Sequence, residues 1–216
     1  MISRHPGAFM LAMALICSIL LIGLVFQDNA PVAGDAELST MQRLLDMALA
    51  HAKLGEQAKS VSEAKFEAQS IVNLVEGQGG RYFVDLSKIG KVLNASLKTT
   101  PLDDYGIRHY AVDFMMAIQE PQVKRMLNHY AVQKGNERAS SGMVMAAADS
   151  VLIGMYNGES DALLVLGIKD KERIQGLFRM MENFFQRAIG KSEDGTLLDT
   201  GVLSIQKTLD DASGEK

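Results

Sequence analysis

Between Gly7 and Phe26 the chain carries twenty consecutive residues, GAFMLAMALICSILLIGLVF, with no charge and no proline. At about 1.5 Å per residue such a run makes a helix of roughly 30 Å, the thickness of a bilayer's hydrocarbon core. A core helix of this length would alternate apolar and polar faces, and this run does not. A cleaved signal peptide has a shorter apolar region, about 7–15 residues, followed by a small-residue cleavage site. No A-x-A pattern follows here; the best cut lies after Ala36, with Gly34 two residues before it. The expectation is therefore an uncleaved transmembrane anchor over residues 1–26, with a cleaved signal as the alternative.

Flanking charge sets the orientation. Arg4 precedes the run, and Asp28, Asp35 and Glu37 follow it, with no Lys or Arg until Arg43. The positive-inside rule counts the basic residues and places the N-terminus in the cytoplasm. The main domain is then expected in the periplasm or another extracytoplasmic space. Cys17 is the sole cysteine and lies inside the apolar run. It reads as a small apolar residue of a membrane helix. No intramolecular disulfide is possible, so cysteine usage says nothing of the redox compartment.

Residues 27–36 (QDNAPVAGDA) are polar and turn-forming, and read as a linker. Residues 37–191 carry helical periodicity throughout and are expected to form an all-α bundle of six or seven helices. Residues 192–216, rich in Asp, Gly and Ser, are expected to be an acidic, loosely ordered tail. The net charge of -4 argues against nucleic acid as a partner.

Ser39-x-x-Gln42 and Ser60-x-x-Glu63 have the capping-box pattern that opens helices. The first predicts a helix with Met41, Leu44, Leu45, Ala48 and Ala52 inward, ended by Gly55. The second predicts a helix with Ala64, Ala68, Ile71, Val72 and Val75 inward, stopped by Gly77. The short connection makes the two an antiparallel hairpin. Gly77 to Asp85 (GQGGRYFVD) lacks both the G-x-x-x-x-G-K-[ST] pattern and a strand–G-x-G-x-x-G–helix setting, so it reads as a plain loop. Tyr82 and Phe83 are expected to pin that loop to the core.

A helix is expected over Leu86 to Leu97. Another, capped by Asp103 or Asp104, should run through Gln119 with Tyr110, Ala111, Phe114, Met115 and Ile118 inward. Pro121 fits the first turn of the next helix, where its missing N–H costs nothing. That helix should end at Lys134, before Gly135. Glu137 to Tyr156 is expected to be an unusually slim helix near the centre of the bundle, since Ser140, Ser141, Gly142, Ala146 to Ala148 and Gly154 let neighbours approach. Asn157-Gly158 is a turn signal. Ala162 to Ile168 is compatible with a buried helix turn or a lone strand. Asp170 caps a last strong helix, with Ile174, Leu177, Phe178, Met181, Phe184, Phe185 and Ile189 on one face.

His51, His109 and His129 are the histidines of this domain. There is no C-x-x-C-H, no H-E-x-x-H and no E-x-x-H, so covalent haem attachment and the common helical metal motifs are excluded. All three histidines are expected at the surface. His109, His129 and Met115 are the weak metal candidates, because imidazole and thioether suit copper. The other methionines fall mostly on apolar stripes and read as core or contact residues. The helix around Ala50-His51-Ala52, with the Ala/Glu-rich helix after it, resembles small extracytoplasmic histidine-rich metal-binding helical proteins. Their repeated histidines are replaced here by Glu67 and Gln69, and no function is carried over.

Asp103-Asp104 and Asp210-Asp211 are adjacent pairs, and such neighbours do not converge on one helix face as acid and base. Ser140-Ser141 lacks a G-x-S-x-G setting. No catalytic residue and no cofactor follow from the sequence. The expectation is a non-enzymatic accessory or scaffold subunit, in contact with membrane lipid and a larger integral membrane complex. The alternative is an extracytoplasmic metal- or small-ligand-binding bundle.

Overall fold

Met41, Leu44, Leu45, Ala48 and Ala52 are all buried along one face of helix α1 (Asp35–Glu56). The same spacing buries Ala64, Ala68, Ile71, Val72 and Val75 in α2 (Val61–Glu76). The computed structural model describes residues 35–86, 105–192 and 194–214. The apolar run 7–26, Cys17, most of the linker, Asp103-Asp104 and nearly all of the expected 86–97 helix lie outside them. The described residues continue with α3 (Ile107–Gln119), α4 (Pro121–Lys134), a 3-10 turn (Glu137–Ala139), α5 (Ser141–Gly167), α6 (Lys171–Ile189) and α7 (Val202–Ser213). There are thus seven α-helices and no strand among the described residues, beyond one isolated bridge between Lys191 and Leu197.

Four helices close a ring: α1 packs on α2, α2 on α5, α5 on α6, and α6 back on α1. Helix α3 packs on both α1 and α5, which lie diagonally in that ring, so it crosses the bundle rather than extending it. Helix α7 touches the same two helices. Most of the largest fully buried side chains come from this set, among them Leu38, Met41, Leu44 and Leu45 of α1, Phe114 of α3, and Phe178 and Phe185 of α6.

Several boundaries differ from the sequence expectation. Helix α1 is already formed at Asp35, because Leu38 belongs to the same buried stripe; Ser39 is an exposed interior residue, not a cap. Gly55 lies inside α1 rather than ending it. A methyl group there would sit 2.2 Å from the ring of Phe178, so the glycine makes room for a neighbour. Ser60 does cap α2, accepting from Glu63 N–H at 3.2 Å, and Gly77 ends it at φ 75°. Gly106, not an aspartate, is the N-cap of α3. In α3, Ala111, Phe114 and Ile118 are buried, while Tyr110 and Met115 are half-buried. Pro121 opens α4 and left-handed Gly135 closes it, as expected.

The largest difference lies in α5. Asn157-Gly158 is no turn: the helix runs unbroken from Ser141 to Gly167 and absorbs the apolar stretch 162–167. Gly158 is buried under Phe185, and a methyl group would lie 2.5 Å from that ring. Helix–helix packing has overridden a local turn preference worth only about 1 kcal/mol. Helix α5 packs on α2, α3, α4, α6 and α7, the central place expected of a slim helix. Its small residues serve two purposes. Gly154 and Gly158 receive α6, while Gly142 and Ala146 are exposed.

Residues 202–213, expected in a loose tail, form α7 with Val202, Ile205, Leu209 and Ala212 buried. Two glycines turn the chain back for it. Gly190 (φ 101°) and Gly201 (φ 91°) take left-handed backbone, and a methyl group on Gly201 would lie 2.5 Å from Gly190 N. Leu198 N–H also donates to Gly190 O at 2.8 Å.

Gly158→Ala is expected to lower stability by about 1–3 kcal/mol, since the fully buried Phe185 ring has no free volume to enter. Gly142→Ala, in open space on the same helix, should leave stability unchanged or raise it by up to about 1 kcal/mol. Urea unfolding of the two variants checks the contrast.

Candidate functional site

Helix α2 ends in a row of polar residues that the apolar stripe does not explain. Gln69, Ser70 and Asn73 are buried there. Asn73 grips the loop after the helix at both backbone groups of one residue. Its Nδ2 donates to Val84 O at 2.7 Å, and its Oδ1 accepts from Val84 N–H at 3.0 Å. Gln69 Nε2 donates to Tyr82 O at 2.8 Å and to Asn73 Oδ1 at 3.0 Å. The two amides thus copy the hydrogen bonds of a neighbouring strand. They hold the loop instead of Tyr82, whose side chain is exposed, and Phe83, which is only half-buried.

Glu76, the last residue of α2, accepts from Tyr82 N–H at 2.8 Å through Oε2. Its Oε1 faces Arg108 Nη1 at 3.4 Å. Arg108 Nη2 reaches Glu159 Oε2 of α5 at 2.7 Å. Gly106 allows this meeting, because a methyl group there would sit 2.2 Å from Val75 O at the end of α2. The start of α3 therefore lies directly against α2, and Arg108 is delivered between two glutamates. Both carboxylates are almost fully buried, at 3% and 7% side-chain exposure, while Arg108 is at 40% and lies over the Tyr156 ring, 5.1 Å from its centroid. Burial pushes the Glu159 carboxyl above the usual glutamate range; Arg108 opposes this and Glu76 adds to it. Burial likewise raises Asp161, whose Oδ2 is buried without a partner.

No family model, curated protein or solved structure matches the chain. Its chemistry has to be argued from its own residues.

The three candidate metal residues sit on two helices. His109 is an exposed residue of α3, 3.0 Å from Asp113 Oδ2 through Nε2 and stacked on Tyr105 at 4.1 Å. His129 is exposed on α4, and Met115 is half-buried on α3. Among the described residues, no group of three or more His, Cys, Asp or Glu is placed to hold a metal ion. His51 departs from its expected surface position. It is buried, with Nδ1 2.7 Å from Glu67 Oε2, and so links α1 to α2.

A groove of about 850 Å³ runs between α5, α6 and the loop before α7. Ser150, Gly154 and Asn157 line one wall, Asn183 and Arg187 the other, with Lys191 and Asp194 at the rim. Hydrogen bonds from the Ser192 hydroxyl and Thr196 hold the exposed Asp194 carboxyl at about 2. A second groove of about 570 Å³, toward α7, shares Ser150 and Thr200 with it. Neither is lined by Glu76, Arg108 or Glu159.

Sequence reasoning did not reach Glu76, Arg108 or Glu159, because an ion pair across 51 residues has no spacing signal. The polar run Gln69, Ser70, Asn73 inside an apolar stripe was the available hint. Asn73→Ala should free the loop, with trypsin cleavage after Arg81 rising at least several-fold and stability falling by about 1–2 kcal/mol. Asp161→Asn should raise stability at neutral pH by about 1 kcal/mol, the scale of one unpaired buried polar group. The gain should shrink as pH falls toward the usual aspartate range, where the wild-type residue is protonated too. Thermal unfolding at a series of pH values measures it.

Proposed function

We propose that the protein is a membrane-anchored, non-enzymatic accessory or scaffold subunit of a larger membrane protein complex. In this reading one transmembrane helix over residues 1–26 docks it in the bilayer, and the helical domain works outside the cytoplasm. The observation that carries the reading is the uncharged, proline-free run from Gly7 to Phe26. Among the described residues no helix is long and apolar enough to cross a membrane, so any span has to come from elsewhere in the chain. The charges on either side of the run support the cytoplasmic N-terminus.

The surface of the domain supports a contact role. Val112 and Met116 are exposed on one side of α3, with exposed Tyr105 just before it, and Ile153, Tyr156 and Leu164 are exposed on α5. Exposed apolar side chains gathered on a helix face are typical of surfaces that meet other proteins. The buried ionic cluster fits a structural role, since Arg108 engages both carboxylates. A second reading, a small-ligand-binding bundle, is favoured by the 850 Å³ groove beside α5.

Extraction of the native protein in mild detergent, followed by native mass measurement, tests the proposal. The expected result is recovery from the membrane fraction in a particle with stoichiometric partners. Recovery without detergent, or a lone monomer in detergent, overturns it. A bound small molecule on that monomer then favours the second reading.

A further inference from the structure

Glu159 Oε1 is buried and has no hydrogen-bond donor, although its neighbour Oε2 takes one from Arg108. An ionised carboxylate that leaves one oxygen dry and unpaired is costly. The carboxyl of Glu76 stands beside Glu159, on the other arm of the same guanidinium. Two carboxylates hold no hydrogen between them, so the contact becomes a bond only when one is protonated. A proton on Glu159 Oε1 supplies the missing donor, and Glu76 then balances Arg108 alone. Glu76 in turn holds the loop, through Tyr82 N–H.

We propose that Glu76, Arg108 and Glu159 form a proton-operated latch, in which a proton on Glu159 keeps Tyr82 N–H of the loop fastened to Glu76 at the end of α2. When solvent base removes the proton, two negative charges face one guanidinium across a dry site. Glu76, at the end of α2, is the carboxylate that gives way, and it releases Tyr82 N–H as it goes.

Arg108 from α3 and Glu76 from α2 are the charged groups acting on Glu159. Among the described residues, the other helices packed on α5 contribute none. Tyr156, one turn earlier on α5, faces the same guanidinium with its ring. The sign follows from linkage. A carboxyl raised in the folded state contributes fully below the usual glutamate range, and its contribution is lost as pH rises through the raised value. The latch is therefore closed in acid and opens toward alkaline pH.

The loop carries its own control. Val84 N–H is held by Asn73, which does not titrate, whereas Tyr82 N–H is held by Glu76. Amide exchange on the full chain in detergent, followed from pH 5 to 8, separates the two. Protection of Tyr82, with the intrinsic chemical rate divided out, should fall about tenfold per pH unit above the folded-state pKa of Glu159, one proton leaving per opening. Protection of Val84 should stay level. Glu159→Gln keeps a donor beside Glu76 at every pH, so Tyr82 should stay protected throughout. The proposal is overturned if Tyr82 and Val84 in the wild type show the same pH dependence, a comparison that needs no variant. It is equally overturned if the Tyr82 slope persists in Glu159→Gln.

Discussion

Two aromatic rings set on two glycines hold the bundle closed. Phe178 rests on Gly55 of α1, and Phe185 rests on Gly158 of α5. The rings are two helical turns apart on α6, and both are fully buried. Interiors packed to crystal density leave no slack for a ring to slide. Helix α6 is thereby fixed at two points, and through it α1 and α5 are fixed against each other. The places of α3 and α7 follow, because each lies across that same pair.

The polar interior obeys a different logic. His51 with Glu67, and Glu76 with Arg108 and Glu159, join polar groups from different helices. A buried ion pair such as Arg108 with Glu159 returns little net stability, since desolvation offsets the attraction. It does penalise every arrangement in which a partner is missing. Shape complementarity at α6 selects the packing, and the charged groups disfavour its near alternatives.

The helical class and most buried stripes were legible in the sequence, because a 3.6-residue period over several turns is hard to mistake. The capping box at Ser60 and the proline at the start of α4 were legible for the same local reason. What failed was the reading of glycine. Gly158 has the look of a turn yet lies mid-helix, and Gly158 and Gly55, one residue from the end of α1, are both seats for phenylalanine rings. Gly201 falls in the stretch expected to be a loose tail, yet its close backbone contact with Gly190, the glycine that closes α6, brings α7 home. A glycine that ends a helix and one that admits a neighbour look alike until the neighbour is placed. The buried ionic cluster was hidden more deeply, since Glu76, Arg108 and Glu159 converge from three helices far apart in sequence. The apolar run Gly7–Phe26 lies outside the described residues, so the proposed anchor rests on the sequence alone.

The amide grip on the 82–84 segment has a consequence for how this protein can change. Asn73 and Gln69 bind carbonyl and N–H groups, which every residue except proline offers. The side chains of Arg81, Tyr82 and Val84 point outward and take no part in the hold. The loop is a frame whose fittings are interchangeable. Mutation can redecorate this corner without loosening it, so its outward chemistry is free to drift toward whatever surface it meets while its backbone path stays the same.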